Sequence, residues 1–293
     1  MKAFGSYHPF VLMSYFLSVL LVAMFAANPV LQLSALLGGC AFAVMLTKSR
    51  ERLSDLSFYV PMFLMVAITN PLFSHNGVTP LFFLNGNPVT REAFIYGIAI
   101  AVTAIGVMLW CKCCSAVMTS DKFLFLFGRV VPKLALVLSM ALRFIPQFKR
   151  QMKRVSMAQK AMGLYSSASY ADRVRSAARV FTAMISWALE NSLETANAMK
   201  ARGYGLKGRS HFALFRFHRQ DGFLLAVCAG LLAVTLAGLM SSALRFSYYP
   251  RISALPLSPL AVSVYLAFGV LSFCPFFIEV REALVWKYCV SKI

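Results

Sequence analysis

Six long apolar runs constrain this chain more than any other feature of its sequence. Each run is close to the roughly 20 residues that a helix needs to cross about 30 Å of hydrocarbon. The runs cover residues 10–27, 30–46, 58–73, 93–110, 222–240 and 260–278. Hydrophobic residues make up 59% of the chain and charged residues only 13%, so a soluble fold could not cover its apolar surface with polar side chains. The sequence therefore predicts an all-α membrane protein with about six transmembrane helices.

The distribution of basic residues predicts how these helices are oriented. The chain has 29 Lys and Arg against 10 Asp and Glu, a formal net charge of +19. The short loop between the second and third runs carries Lys48, Arg50 and Arg52, whereas the 74–90 loop is poor in Lys and Arg. Because cytoplasmic loops are enriched in these cations, the first loop is expected inside and the second outside. Six spans then place both termini in the cytoplasm, as in a multi-pass protein of the inner (plasma) membrane.

The remaining charge is concentrated in the middle of the chain and divides it into three parts. Residues 1–120 hold the first four spans, residues 121–220 form a basic cytoplasmic segment, and residues 221–293 hold the last two spans. Between positions 143 and 219 there are 15 cations and three acids, which is too polar for membrane core. The apolar stretch 134–142 is too short to span, so we expect a helix that lies under the membrane or against other helices.

Hydrophobic periodicity predicts two long amphipathic helices in the basic segment. The first covers residues 147–162, with apolar side chains at spacings of three, four and seven. The second runs from about Tyr170 to Arg202, about 50 Å at 1.5 Å per residue, after the capping-box pattern of residues 169–172. The residues expected to form its helix-pairing seam are Val174, Ala178, Phe181, Ile185, Ala188, Ser192, Thr195 and Met199.

Both of these helices end in nearly the same six residues. Residues 158–163 read Ala-Gln-Lys-Ala-Met-Gly and residues 198–203 read Ala-Met-Lys-Ala-Arg-Gly, so four of six positions are identical. A final glycine suits the left-handed position that stops a helix, and Lys160 and Lys200 complement the negative end of the helix dipole. Each end alone is typical of an ordinary helix terminus. Their repetition favours two similar binding sockets on a partner.

These motifs resemble those of the T component of energy-coupling factor (ECF) transporters, the family that includes the cobalt-transport Q protein. Arg143-Phe144-Ile145-Pro146 is similar to the family stretch that begins the cytoplasmic coupling helices. Ala201-Arg202-Gly203 matches the family's Ala-Arg-Gly signature, and Ala161-Met162-Gly163 occupies the place of its first copy. The resemblance is close over about residues 122–208.

The resemblance implies a role in uptake of a micronutrient, either a vitamin or a metal ion. In that family the two signature ends dock on two ABC-type ATPase subunits, and the spans hold a small membrane S component that binds the substrate. Arg202 is the residue expected to engage the ATPase, through its planar guanidinium. Met162 replaces the family arginine at the first end. The contact made by this end is therefore expected to keep its position but to change its chemistry, and Lys160 is expected to supply positive charge nearby.

The sequence also lacks features that other functions would require. It contains no Gly-Lys dipeptide and therefore no P-loop. We therefore expect that the chain is not an enzyme and that partner subunits hydrolyse ATP. The Cys-x-x-Cys at 111–114 has no second pair, so no metal site or cofactor is expected. The aromatic residues Phe148, Phe181 and Trp187 follow helical apolar faces, which disfavours nucleic acid. The alternative is a membrane anchor whose basic segment binds anionic lipid or nucleic acid.

Overall fold

The structure is a computed structural model that describes seven ranges of the chain. They are residues 3–47, 49–74, 77–84, 87–163, 170–206, 215–241 and 244–290. The helices in these ranges are α1 (Pro9–Phe25), α2 (Pro29–Leu46), α3 (Ser49–Phe73), α4 (Arg91–Val117), α5 (Ser120–Val130), α6 (Pro132–Ala161), α7 (Tyr170–Ala201), α8 (Arg219–Met240) and α9 (Pro259–Val290). Strands β1 (Pro80–Leu84) and β2 (Asn87–Thr90) form an antiparallel hairpin.

Five of these helices are long and apolar enough to cross a membrane, namely α2, α3, α4, α8 and α9. The apolar helix α1 is shorter, with 17 residues, which corresponds to about 26 Å. The helices extend beyond the apolar runs, most clearly where α4 continues to Val117 and α9 to Val290, because no Gly-rich or turn-forming stretch stops them. The prediction of an all-α membrane protein is confirmed.

The chain divides into two compact units, and the membrane-spanning helices belong to the first. This unit comprises Met1–Phe123 and Phe215–Ile293. Its core is a set of buried aromatic side chains from the N-terminal turn, α1, α2 and α4. They are Phe4, Tyr15, Phe16, Phe42 and Trp110. Two of these side chains carry a polar atom, and each polar atom donates a hydrogen bond to a backbone carbonyl. Tyr15 Oη donates to Leu271 O at 2.8 Å, and Trp110 Nε1 donates to Ala35 O at 2.9 Å. The polar atoms of the core therefore cross-link α1 to α9 and α4 to α2.

Small residues allow the helices of this unit to pack closely. A Cβ atom at Gly38 would lie 2.8 Å from the Cβ of Ser272, so α2 and α9 could not approach as closely with any larger residue. A Cβ atom at Gly97 would lie 2.6 Å from Ala67 O, which makes the same point for α3 and α4. Glycine at these two positions therefore sets the spacing of the membrane helices.

A buried carboxylate joins the starts of α1 and α8. Asp221 Oδ1 accepts the backbone N–H of His8 at 2.9 Å, and Asp221 Oδ2 accepts that of His218 at 2.8 Å. Each donor is a helix N-cap residue whose N–H has no partner within its own helix. Asp221 therefore satisfies two helix starts at once and ties the N-terminal segment to the chain that enters α8.

The connection between α3 and α4 contains regular structure. The sequence of residues 74–90 predicts a break between helices, but the structure forms β1 and β2 there. In the sequence the two strands are separated by Asn85-Gly86, a dipeptide that favours two-residue hairpin connections. The hairpin is fixed to the start of α4 by Glu92, because Thr79 Oγ1 donates to Glu92 Oε1 at 2.7 Å. The strands were missed because they are only five and four residues long and show no polar and apolar alternation, which is the usual sequence signal of a strand.

The second unit, Leu124–Leu214, contains α6 and α7. The prediction that Arg143, Phe144, Ile145 and Pro146 begin the first coupling helix is wrong, because α6 begins at Pro132 and these residues lie in its middle. Residues 133–142 contain no helix breaker, so the apolar stretch and the basic stretch form one helix. Pro146 removes one backbone donor within this helix without ending it.

The predicted pairing seam of α7 does not match its buried face in the first half of the helix. Val174 and Phe181 are exposed, whereas Ser176 and Met184 are buried. Trp187 is half-buried on the inner side. The helix carries two apolar stripes, and periodicity alone could not select the one that packs. The proposed capping residue Ser169 lies outside the described residues.

Candidate functional site

The end of α7 places Arg202 at the last position before the chain turns away. Gly203 follows with φ +80°, in the left-handed region. Its N–H donates to Lys200 O at 3.0 Å, and the N–H of Tyr204 donates to Met199 O at 3.0 Å. These two bonds form the Schellman motif, which satisfies carbonyl groups at a helix end. The motif holds the exposed Arg202 at the tip of a well-defined helix.

The end of α6 has the same backbone arrangement 40 residues earlier. Met162 N donates to Ala158 O at 3.1 Å, as Arg202 N donates to Ala198 O at 3.2 Å. Gly163 has φ +75°, and its N–H donates to Lys160 O at 3.0 Å. The structure therefore gives Met162 the position on α6 that Arg202 has on α7. We call residues 161–163 the first helix end and residues 201–203 the second helix end.

The similarity extends to the solvent exposure of the ten residues before the last turn. Half-buried positions in residues 151–160 recur in residues 191–200 at the same offset of 40. These pairs are Gln151 and Asn191, Val155 and Thr195, and Ser156 and Ala196. The two ranges differ in exposure only at Gln159, which is buried, and Met199, which is half-buried. The repeat is therefore a repeat of helix orientation as well as of sequence.

An aromatic contact joins the two helices at equivalent distances from their ends. The rings of Phe148 and Trp187 lie 5.2 Å apart, centroid to centroid, with an interplanar angle of 81°. This edge-to-face geometry is the favourable one for aromatic pairs. Met162 follows Phe148 by 14 residues and Arg202 follows Trp187 by 15, so each is about 21–23 Å along its helix from the contact.

Chain connectivity requires the two helices to run in opposite senses from this contact. From Ala161 to Tyr170 the chain makes nine steps, which reach at most about 30 Å. If α6 and α7 were parallel, the end of α6 and the start of α7 would lie roughly 45 Å apart. Gln159 and Ser176, each 11 residues from the contact, are both buried, in agreement with an antiparallel register. In such a pair Met162 and Arg202 lie on opposite sides of the contact, at most about 45 Å apart.

The two helix ends have the same backbone arrangement, but the helical segments that precede them differ in charge. We call residues 149–161 the α6 arm and residues 189–201 the α7 arm. The α6 arm carries five cations and no acid. They are Lys149, Arg150, Lys153, Arg154 and Lys160. The α7 arm carries Glu190, Glu194 and Lys200, so its formal charge is 1 − 2 = −1 against +5. Long-range attraction to an acidic surface therefore favours the α6 arm.

The structure brings some of the predicted site residues into one arrangement and separates others. Lys160 and Lys200 are both exposed at the third residue before the final glycine, and Ala161 and Ala201 are exposed next to them. Residues 143–146 lie in the middle of α6, away from both helix ends. Sequence reasoning did not identify the Phe148–Trp187 pair, although its nearly equal offset from the two glycines was a signal that could have found it.

The fold and the repeated helix ends define a multi-pass, predominantly helical membrane protein with two exposed helix ends of the same backbone arrangement. Residues 8–212 match the model of the family described as cobalt transport protein, CbiQ. The chain therefore belongs to the CbiQ family, whose members are membrane components of transporters.

Curated relatives carry the same kind of name. The chain is 32% identical over 200 residues to the energy-coupling factor transporter transmembrane protein EcfT of Listeria innocua, an alignment that covers 59% of this chain and 76% of the relative. It is 34% identical over 110 residues to EcfT of Exiguobacterium sibiricum, with 36% and 42% covered. It is 32% identical over 104 residues to EcfT 1 of Listeria monocytogenes, with 35% and 38% covered. The two shorter alignments span less than half of those relatives.

Proposed function

We propose that this protein is the T component of an ECF-type ABC importer. In this role it binds two ABC-type ATPase subunits through its two helix ends and holds a substrate-binding S component among its membrane helices. The observation that carries the proposal is the pair of equivalent, oppositely directed helix ends at Met162 and Arg202. Family membership and the EcfT relatives support it.

The energy for transport comes from the ATPase partners and the cargo is chosen by the S component. In this proposal the chain itself is non-catalytic, and its lack of a P-loop sequence agrees with ATP hydrolysis by the partners. The cargo class is a micronutrient, either a vitamin or a metal ion. Both termini lie in the cytoplasm, as the three cations between the second and third apolar runs favour.

The two helix ends transmit motion because each is rigidly connected to the Phe148–Trp187 contact. When the ATPases close on ATP, the surfaces that hold Met162 and Arg202 move relative to each other. A helix resists compression and bending over a length of about 20 Å, so displacement of an end rotates its arm about the aromatic contact. The rotation reaches the S component and reorients it.

The chemistry of the two contacts differs. Arg202 offers a planar fork of donors to carboxylates or backbone carbonyls of its ATPase. Met162 is 69% exposed and offers a flexible apolar side chain to the other ATPase. The +5 charge of the α6 arm favours an acidic surface on that ATPase along the arm, beside an apolar socket for Met162. The two sockets therefore present different surfaces to this protein.

Co-purification of the complex from membranes tests the proposal. Arg202→Glu places a negative charge against a partner surface that binds a cation. We therefore expect the ATPase subunits to be lost from the purified complex, while the protein inserts normally into the membrane. Arg173→Glu, an exposed charge reversal at the other end of α7, is the matched control and is expected to retain them. If Arg202→Glu altered only a salt-dependent binding of anionic lipid or RNA, the basic segment would be a membrane or nucleic-acid anchor instead.

A further inference from the structure

An open groove runs along the surface of the membrane unit between α2, α3 and α4. Its volume is about 360 Å³. Most of its wall is apolar. The principal lining residues are Leu36, Val44, Val60, Phe63, Leu64 and Leu109. Val44, Val60 and Leu64 are each about half exposed, so the groove is open at the side of the unit.

The polar groups of the groove are gathered at one end, where α2 ends and α3 begins. Arg52 Nε donates to Thr47 O at 3.0 Å, which fixes the guanidinium at this end and leaves its terminal nitrogens available. The other charged residue that lines the groove, Asp55 on α3, forms an ion pair with Lys112 on α4, which compensates its charge. Because the charge of Asp55 is compensated, the positive charge of Arg52 remains at this end. It therefore attracts an anion rather than a neutral group.

The dimensions of the groove fit one leaflet of a bilayer. From Arg52 to Leu64 on α3 the rise is about 18 Å, and from Thr47 to Leu36 on α2 it is about 16 Å. Half of the ~30 Å hydrocarbon thickness is about 15 Å. With Arg52 at the membrane surface, as its place at the predicted cytoplasmic loop requires, Leu64 and Leu36 would lie near the middle of the bilayer.

We propose that this groove binds one anionic phospholipid. The phosphate group accepts hydrogen bonds from the Arg52 guanidinium, and one acyl chain lies against Val60, Leu64 and Leu109. A free phosphate would use only the polar end and leave the apolar length open. A zwitterionic headgroup would gain less from the positive charge of Arg52. A phospholipid matches the charge and the apolar length together.

Native mass spectrometry of the full-length protein released from bilayers containing phosphatidylglycerol and phosphatidylcholine tests this proposal. The wild type is expected to retain phosphatidylglycerol in preference to phosphatidylcholine. Arg52→Gln should lower that retention about five- to tenfold, because one cation near the phosphate is removed. Arg91→Gln removes an exposed arginine from the opposite end of α4 and is expected to retain as much lipid as the wild type.

A second variant tests the acyl-chain part of the groove without changing any charge. Val60→Trp fills the groove, and it is expected to reduce retention of the same lipid while leaving Arg52 in place. Equal retention of both lipids by the wild type, or unchanged retention by Arg52→Gln, would overturn the proposal. The proposal would also be overturned if 50 mM inorganic phosphate removed the lipid while Val60→Trp had no effect. A membrane partner crosslinked in the groove with no lipid bound would likewise overturn it. The proposal is independent of the ATPase-coupling function.

Discussion

Phe148 and Trp187 meet edge to face at almost the same distance from the two helix ends, 14 residues before Met162 and 15 before Arg202. The contact therefore divides the α6–α7 pair into two arms of nearly equal length. In the proposed function a displacement of one arm becomes a rotation about this contact, and the matched arm lengths would give equal responses. This geometry gives a physical reason for the repeat of the helix ends.

Removal of the aromatic contact should uncouple the arms. Phe148→Ala and Trp187→Ala each remove an edge-to-face pair, and a double-mutant cycle on unfolding of the purified protein should give an interaction of about 1 kcal/mol. We also expect fewer substrate molecules transported per ATP hydrolysed. Phe181→Ala, which removes an exposed ring from α7, is the control for nonspecific loss of an aromatic side chain. Strictly additive effects of the two mutations would contradict the assigned role.

Gly163 and Gly203 should be required for the form of the helix ends. Both have positive φ, so Gly163→Ala and Gly203→Ala each cost roughly 1–2 kcal/mol in local conformational energy. Gly203→Ala adds a close approach, because the new Cβ would lie 3.0 Å from Leu206 Cδ1. Hydrogen exchange should be faster in the last turn of each altered helix. Gly230→Ala, inside α8 with open space around it, should show no such change; equal protection at the helix ends would refute the prediction.

Close packing of α2 on α9 should depend on Gly38. A Cβ atom there would lie 2.8 Å from both Cβ and O of Ser272, so Gly38→Ala is expected to destabilise the protein by about 1–3 kcal/mol. Gly269→Ala on α9 meets nothing within 4 Å and is the matched control. Thermal unfolding in detergent measures both, with a lower Tm expected for Gly38→Ala alone. A Tm equal to that of the control would show that the helices can separate at no cost.

Met162 should make an apolar contact with its ATPase, and an arginine at this position should not improve that contact. Because its side chain is 69% exposed, Met162→Arg should change folding stability by less than about 0.5 kcal/mol. If the partner socket is apolar, burial of the new charge should weaken ATPase binding roughly tenfold, whereas Met162→Leu should preserve it. Affinity measured with purified ATPase subunits distinguishes the two variants. Equal or tighter binding by Met162→Arg would mean that the socket still accepts the family arginine.

The sequence predicted the membrane helices well because apolar runs of about 20 residues have few alternative structures. It predicted the two helix ends because glycine after a basic last turn is a local signal, seen in Gly163 and Gly203. It failed where the outcome depended on packing. Pro146 suggested a helix start but lies inside α6, and α7 packs through Met184 rather than through the more regular stripe that contains Phe181. Local periodicity contains no information on which of two apolar stripes a neighbour covers.

Crosslinking in living cells tests the central claim most directly. A photoreactive amino acid would replace Met162, Arg202 or, as the control, the exposed Phe181, and the covalent products would be identified by mass spectrometry. The account predicts that positions 162 and 202 each capture an ABC-type ATPase subunit and that position 181 does not. Failure of both helix ends to capture an ATPase, in cells where the protein is inserted and stable, would contradict it.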